Sequence, residues 1–196
     1  MKEFLLVTLC YLIGSIPISY IISRQFGRVD IRKRGSGNVG ATNVLRSVGL
    51  PLAVLAATGD ILKGVFAAWI ALTMGGGIFL VLCPLAAVVG HCYPVFLRFR
   101  GGKGVATSAG ALVILIPYAI LYLFFAFVGV IVITRMVSLG SLTAAVFIPF
   151  LTMFLYPQER FIIFLTFLLA VLVIYRHKDN IKRVINGTEP RIGERA

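Results

Sequence analysis

Long apolar segments separated by short polar stretches determine what this chain can fold into. The first covers residues 4–23, which matches the roughly 20 residues that a helix needs to cross a bilayer. Such segments recur along the chain, and 59% of its 196 residues are hydrophobic, whereas the share in a soluble domain is about one half. We therefore predict an all-α, polytopic integral membrane protein.

Prolines, glycines and charged residues divide the apolar sequence into seven predicted transmembrane helices. The run at 105–134 is too long for one upright span and contains Pro117, so we divide it into a short helix and a returning span. We expect the first segment to be kept rather than cleaved as a signal peptide, because the basic cluster lies after it. The predicted helices cover residues 4–23, 50–74, 78–97, 104–116, 118–134, 138–155 and 160–175. A basic tail from Arg176 to Ala196 completes a single predicted domain, residues 1–196.

The positions of the lysines and arginines predict how these helices are oriented. With seven spans, Lys2 and Arg160 fall on one side, Lys63 lies inside the second span, and the other 16 of the 19 fall on the opposite side. Basic loops stay in the cytoplasm. We therefore predict an N-terminus outside the cell and a C-terminus in the cytoplasm.

The stretch from Arg32 to Arg46 is polar and rich in glycine, unlike the sequence around it. Glycines let the backbone approach a ligand and turn successive N–H groups towards an anion. The neutral donors of the stretch are Ser36, Asn38, Thr42 and Asn43, and its cations are Arg32, Lys33, Arg34 and Arg46. We predict a phosphate site here. The alternative is a loop whose arginines only set the orientation.

A second polar island, at residues 98–104, ends in Gly101-Gly102-Lys103-Gly104 and leads directly into a predicted helix. Free N–H groups and the positive end of the helix dipole would make this helix start an anion site, to which Lys103 adds a charge. The alternative is a short turn whose glycines only relieve crowding.

The context of several patterns excludes the function that each would suggest alone. Gly35–Gly40 matches G-x-G-x-x-G, but no strand is expected before it, and Gly104 stands where a Walker loop needs Ser or Thr. The net charge of +12 does not indicate nucleic acid, because no base-stacking or groove-reading motif accompanies it. The three cysteines have no paired spacing, so we predict buried thiols without a disulfide or zinc site.

The start of the tail holds a third polar cluster. His177 and Asn180 are three residues apart and would share a helix face, and Arg176 would lie on nearly the same face. His177 could bind a hydroxyl or phosphate and act as a base, although a lone interfacial histidine is commonly structural. His91, near the end of the third span, is a further candidate of this kind. We expect the three clusters to meet at the cytoplasmic face.

Asp60 and Lys63 lie one turn apart inside the second span. Charges in a membrane are costly, so these two should pair with each other or line a cavity that takes part in substrate binding. The few carboxylates on the cytoplasmic side form no cluster that could hold two metal ions. We therefore predict no metal and no cofactor.

These residues resemble a known family, the bacterial acyl-phosphate:glycerol-3-phosphate acyltransferases. Three motifs match in order and spacing, namely Gly35–Arg46, the block from Gly90 to Thr107, and Arg176–Glu189. The Gly59–Gly64 segment of the second span is also similar.

The resemblance implies an enzyme that moves a fatty acyl group from acyl phosphate to the 1-hydroxyl of glycerol 3-phosphate. The products would be 1-acylglycerol 3-phosphate (lysophosphatidic acid) and phosphate, in the first step of phospholipid synthesis. The resemblance further implies a monomer among the lipids of a bacterial inner membrane, with its active site on the cytoplasmic side. Because the donor is already activated, neither a covalent enzyme intermediate nor a metal is required.

Site residues follow from this chemistry and from the matched motifs. We expect acyl phosphate to bind at Ser36, Gly37, Asn38, Gly40, Thr42, Gly101 and Gly102. We expect glycerol 3-phosphate to bind at Arg46, Lys103, His177 and Asn180. The predicted catalytic residues are Ser36, Arg46, Lys103, His177 and Asn180. We favour the donor's own phosphate as the base, while His177 as the base and Ser36 as an acylated nucleophile are the alternatives.

Two other functions fit these residues less well. Acyltransferases that use acyl-CoA or acyl carrier protein typically carry His followed five residues later by Asp, but Phe96 and Lys182 stand at those positions here. A transporter for phosphorylated metabolites is the alternative from another class. Spans four to seven offer almost no charges for such a path.

Overall fold

The structure, a computed structural model, describes residues 1–193, so the last three residues of the predicted basic tail lie outside the described residues. Within this range the chain forms helices and turns without β-strands, which confirms the all-α prediction. The α-helices are α1 (Lys2–Ser15), α2 (Ile18–Gln25), α3 (Ala41–Val48), α4 (Leu50–Thr73), α5 (Phe79–Cys92), α6 (Val105–Leu115), α7 (Pro117–Thr134), α8 (Val137–Leu155), α9 (Arg160–Arg176) and α10 (Lys178–Ile185). Two short 3₁₀ turns cover Ile31–Lys33 and Val95–Leu97.

Prolines and glycines set many of the helix boundaries. Pro17 separates α1 from α2, and Pro51 and Pro117 lie in the first turns of α4 and α7, where a missing N–H costs no hydrogen bond. Pro84 and Pro149 lie inside α5 and α8, which is tolerated more readily in helices that contact lipid.

The first of two compact units covers Met1–Ile114. In it, α1 packs against α5 and α4, α4 packs against α5, and the short α2 and α3 pack against α4. Glycines let helix backbones touch: a Cβ at Gly64 would overlap the carbonyl oxygen of Thr107, and one at Gly110 would overlap that of Ile61. Small residues at such contacts are typical of helix packing in membranes. They bring α4 and α6 together.

The second unit covers Leu115–Ala196. In it, α7 packs against α8, α8 against α9, and α9 against α10. Bulky side chains make these contacts, such as the edge-to-face pair of Phe150 and Phe167, whose ring centres are 6.4 Å apart. A Cβ at Gly129 of α7 would meet nothing within 4 Å. The chain bends by 59° between α9 and α10.

Large apolar side chains on the helix surfaces indicate a lipid environment. Ile133 is 83% and Phe154 82% exposed, while Thr152 and Thr166 are fully buried. The two threonine hydroxyls donate to carbonyl oxygens of their own helices, as required where no water is present. Within residues 1–193, five segments are long and apolar enough to cross a membrane, or six if the bent pair of α9 and α10 is one span.

Most predicted helices match the observed ones, but residues 4–23 form two helices, α1 and α2, and the helix predicted at 78–97 ends at Cys92. The number of spans stays a prediction. Helix α6 has only 11 residues, which gives roughly 17 Å at 1.5 Å per residue, against about 30 Å of hydrocarbon. One prediction was wrong: the sequence predicted no helix between residues 23 and 50, but Ala41–Val48 forms α3. That helix was missed because it is short and largely polar.

Candidate functional site

Asn43 organises the glycine-rich loop that precedes α3. Its side chain is buried, and its Nδ2 lies 2.8, 3.1 and 2.9 Å from the carbonyl oxygens of Ile31, Arg34 and Asn38. Its Oδ1 accepts a hydrogen bond of 3.1 Å from the Ser36 N–H. We expected Asn43 to donate to a ligand, and the structure corrects this: its amide donates to the loop's own backbone.

The predicted anion-binding residues lie on or next to this fixed loop backbone. Gly35 and Gly37 have φ of +55° and +70°, the left-handed region that glycine adopts without strain. Ser36 between them is exposed. Thr42 and Arg46, four residues apart on α3, are partly buried and share one face.

Arg32 belongs to the loop's framework. Its Nε and Nη2 donate to the two carboxylate oxygens of Asp30 at 2.9 and 2.7 Å, and its guanidinium lies 4.6 Å from the ring centre of Tyr20. The hydrogen bond from Arg32 holds the pKa of Asp30 at about 2. The Asp30 carboxylate also accepts from the backbone N–H of Arg32. The Arg32 side chain is therefore held by Asp30 and by the ring of Tyr20 in α2.

The glycine island follows the C-terminal end of α5 directly. The Gly101 N–H donates to Cys92 O at 3.1 Å, and the Gly102 N–H donates to His91 O at 3.0 Å. The expectation of free N–H groups is thus wrong for these two glycines, which satisfy carbonyls at the end of α5. The first bond of α6 runs from the Ser108 N–H to Gly104 O, so the N–H groups just before Ser108 point out of the helix start.

Asp60 is the centre of a buried polar cluster in the first unit. Lys63 Nζ lies 2.7 Å from Asp60 Oδ1, which confirms that these two residues pair. His91 Nδ1 lies 3.3 Å from the same oxygen, and the Ser19 hydroxyl donates to Oδ2 at 3.1 Å. All four side chains are buried. The cluster therefore joins α2, α4 and α5.

A small cavity borders this cluster. Its volume is about 10 Å³, room for about one water molecule. Besides the Asp60, Lys63 and His91 side chains, it is lined by Val39 of the glycine-rich loop and by Ser15. The Ser15 hydroxyl is buried without a hydrogen-bond partner in the protein, as expected where a water would complete the site. The glycine-rich loop and the cluster are thus neighbours.

His177 lies at the bend between α9 and α10. It is buried, and its Nδ1 is 2.8 Å from Val173 O; a proton on Nδ1 would leave the Nε2 lone pair as an acceptor. Because the chain bends here, Arg176 ends one helix and Asn180 lies on the next. The expectation that Arg176 and Asn180 share one helix face is therefore wrong.

Glu189 holds Asn180 in place within the second unit. Its Oε1 accepts from Asn180 Nδ2 and from the Ser138 hydroxyl, both at 2.6 Å, and its Oε2 accepts from Arg183 Nε at 2.8 Å. Burial raises the pKa of Glu189, but the hydrogen bonds from Ser138, Asn180 and Arg183 outweigh it and leave that pKa below its ordinary value. The carboxylate is therefore ionised at neutral pH.

The predicted site residues divide between the two units. Those from Ser36 to Lys103 belong to the first, and His177 and Asn180 belong to the second. Reasoning from sequence missed the organising roles of Asn43, His91 and Glu189, although all three lie in the matched motifs. Across residues 1–193, no group of three or more His, Cys, Asp and Glu side chains could hold a metal ion.

Comparison with known proteins extends over nearly the whole chain. The family model described as glycerol-3-phosphate acyltransferase matches residues 4–187. The chain is 48% identical to the glycerol-3-phosphate acyltransferase of Syntrophomonas wolfei, with all of both chains covered. It is 45% identical to glycerol-3-phosphate acyltransferase 2 of Moorella thermoacetica, with 98% of both chains covered.

Two solved structures have the same fold. Both are described as PlsY (YgiH), an integral membrane glycerol 3-phosphate acyltransferase, one in its glycerol 3-phosphate form and one in its lysophosphatidic acid form. The first is 40% identical with a TM-score of 0.93, and the second is 39% identical with a TM-score of 0.91; each comparison covers 98% of this chain and 96% of the other. This chain therefore belongs to the glycerol-3-phosphate acyltransferase family.

Proposed function

We propose that this protein transfers a fatty acyl group from acyl phosphate to the 1-hydroxyl of glycerol 3-phosphate. The products are 1-acylglycerol 3-phosphate and inorganic phosphate, which makes this the first step of phospholipid synthesis. The observation that carries the proposal is the full-length similarity to glycerol-3-phosphate acyltransferases, including a 40% identical structure in a glycerol 3-phosphate form. The polar motifs of the sequence lie within the matched region.

The acyl phosphate is proposed to bind at the glycine-rich loop. Asn43 fixes the backbone there, so the donors of the loop need little reorganisation when an anion arrives. The proposed ligands are Ser36, Gly37, Asn38, Gly40 and Thr42, together with Gly101 and Gly102. Because the N–H groups of the last two donate to α5, these two glycines would act by close backbone approach.

Glycerol 3-phosphate is proposed to bind through charge and hydroxyl recognition. Arg46 and Lys103 supply cations for its phosphate, and a guanidinium can bind such a group with two hydrogen bonds. His177 and Asn180 are proposed to bind the glycerol hydroxyls, and both are held within the second unit, through Val173 O and Glu189 respectively.

In the proposed reaction, the 1-hydroxyl oxygen attacks the carbonyl carbon of the acyl phosphate. A new ester bond forms, the bond to the phosphate oxygen breaks, and the departing phosphate takes the hydroxyl proton. Ser36, Arg46, Lys103, His177 and Asn180 contribute positioning and electrostatic stabilisation, without a covalent acyl-enzyme.

The proposed setting is a bacterial inner membrane. Seven spans, an external N-terminus and a cytoplasmic C-terminus put the substrate-binding residues on the cytoplasmic side, in a monomer surrounded by lipid. The distribution of lysine and arginine supports this arrangement. Single cysteines in place of Ser36 and Tyr156, in a background without the native thiols, would test it: only Ser36→Cys should react with an impermeant thiol reagent in inside-out vesicles.

Purified protein with acyl phosphate and glycerol 3-phosphate tests the reaction itself. Phosphate release and a lysophosphatidic acid product are expected. Absence of product, or equal activity with acyl-CoA, would overturn the proposal.

His177→Ala distinguishes the two candidate bases. If the donor phosphate takes the proton, the variant should bind glycerol 3-phosphate less tightly but keep a substantial kcat. A loss of several orders of magnitude in kcat at saturating substrate would instead identify His177 as the base. Mass spectrometry of the enzyme during turnover should find no acyl group on Ser36.

A further inference from the structure

We propose that His91 is a positioning residue for this reaction: the buried Asp60–Lys63 pair holds its ring, and the ring supports the glycine island at Gly102. The inference rests on the proposed function, because it assigns the island to substrate binding. It concerns His91, Asp60 and Lys63, which are not themselves proposed to contact substrate.

The Asp60–Lys63 pair fixes one side of the imidazole. Asp60 Oδ1 lies 2.7 Å from Lys63 Nζ and 3.3 Å from His91 Nδ1, while the Ser19 hydroxyl occupies Oδ2 at 3.1 Å. The carboxylate therefore has partners on both oxygens, and a proton on His91 Nδ1 would point at it. Because all of these groups are buried, the ring has one strongly preferred orientation.

The other side of the same ring contacts the glycine island. A Cβ at Gly102 would overlap His91 Nε2, so only a hydrogen fits between the ring and the backbone. The backbone of His91 also takes part, because its carbonyl accepts from the Gly102 N–H at 3.0 Å. One residue thus contacts the island through both its side chain and its main chain.

Direct substrate binding by the cluster is the competing explanation. The space beside Asp60, Lys63 and His91 is about 10 Å³, which suits about one water molecule. The carboxylate of Asp60 would also repel an anionic substrate. The cluster therefore acts on the reaction through the island.

Movement of the island would be passed on to Lys103 and to the start of α6. Gly104, two residues after Gly102, has φ of +85° and lies against Val88 and Cys92 of α5. Gly101, Gly102 and Gly104 consequently all lie against residues of α5. A displacement of about 1 Å in such a supporting group can reduce catalysis by about 100-fold.

The test compares His91→Asn with His91→Ala in steady-state kinetics of the purified full-length enzyme. Asparagine can keep a donor near Asp60 but does not reach Gly102. Both variants should raise the KM for acyl phosphate by about tenfold, while kcat changes less, and His91→Asn should unfold close to the wild-type temperature. Cys83→Ala, a buried change on the same helix away from the island, is the control and should leave both KM values unchanged.

A second variant tests the contact directly. Gly102→Ala should raise the KM because its Cβ overlaps the ring, and adding His91→Asn should recover part of that loss. Independent, additive effects of the two changes would overturn the proposal, as would an unchanged KM in both His91 variants.

Ser36→Ala and Lys103→Ala separate this inference from the proposed function. If they raise the KM values while the His91 variants do not, only the positioning role fails. If they also leave the KM values unchanged, the proposed binding residues are wrong.

Discussion

The two units each bury a carboxylate, but they surround it differently. Asp60 of the first unit lies among packed helices with Lys63, whose side chain is only 4% exposed. Glu189 of the second unit pairs with Arg183, whose side chain is 35% exposed. Loss of its partner leaves a buried cation uncompensated and strongly destabilises the fold, whereas water can solvate a partly exposed cation. The Asp60–Lys63 pair is therefore essential to the packing of the first unit, and the Glu189–Arg183 pair of the second unit is more easily separated.

The two units also differ in how closely their helix backbones approach each other. A Cβ at Gly64 or Gly110 of the first unit would overlap a backbone carbonyl of the facing helix, whereas in the second unit a Cβ at Gly140 would lie 3.0 Å from Phe127 O and one at Gly129 would have open space around it. The first unit therefore has little freedom to adjust to a larger side chain, and changes there should be felt at the glycine island.

Removing the carboxylate of the first unit should have the largest effect. Asp60→Ala leaves the Lys63 ammonium buried without its partner, and we expect a loss of about 3–5 kcal/mol in unfolding free energy. The double variant Asp60→Leu/Lys63→Leu removes both charges and should recover most of that loss. Thermal unfolding in detergent measures both. Equal destabilisation by the single and double variants would contradict the role given to the buried charge.

Gly64→Ala should come next. Its methyl group would overlap Thr107 O, and relief requires α4 and α6 to separate, at an expected cost of about 1–3 kcal/mol. Gly129→Ala is the matched control, and it should unfold within about 0.5 kcal/mol of the wild type, as substitutions in open sites usually do. A Gly64→Ala protein that is as stable as Gly129→Ala would show that the two helices can move apart freely.

Glu189→Gln should lower stability in a way that depends on pH. The folded pKa of Glu189 is below its ordinary value, so the ionised carboxylate stabilises the fold above about pH 4.3, and that contribution disappears as the pH falls through the lowered pKa. At about pH 7 we expect the variant to lose about 1–3 kcal/mol through its weakened hydrogen bonds.

The measurement for Glu189 is the unfolding temperature of both proteins between about pH 7 and about pH 2. The difference between them should stay constant down to about pH 4 and shrink below it, as the pH falls through the lowered pKa of Glu189. Asp179→Asn, an exposed neighbour, is the control and should behave as the wild type. A constant difference across this range would show that the charge of Glu189 is not what stabilises the unit.

Asp30→Asn should have the smallest effect. Its partner Arg32 is 46% exposed, and an exposed ion pair contributes only about 0–1 kcal/mol. The same titration should show a small loss of wild-type stability as the pH falls towards about 2, where Asp30 becomes protonated. A loss as large as that of Asp60→Ala would place Asp30 among the essential carboxylates.

Hydropathy predicted most of the fold because long apolar runs in a membrane chain have few alternatives to helices. The same criterion missed α3, whose formation depends on its packing against α4 and on Asn43, neither of which hydropathy describes. The pairing of Asp60 with Lys63 was predictable from the cost of intramembrane charge.

The supporting residues of the site were harder to predict. Glu189 lies within a matched motif, but its contacts with Ser138, 51 residues away, and with Asn180 require the fold. Likewise, the closeness of His91 and Gly102 depends on how the chain returns after Pro94. Sequence reasoning identified side chains suited to substrates, while the residues that hold them in place became visible only in three dimensions.

The contact between α4 and α6 also limits how this sequence can evolve. Positions 64 and 110 each face a backbone carbonyl of the opposite helix, so neither can accept a larger residue unless the helices separate. Because α6 begins at the glycine island, such a separation would move residues proposed to bind substrate. Selection for catalysis and selection for packing therefore both act on these two glycines. Among relatives, we expect the two positions to change together.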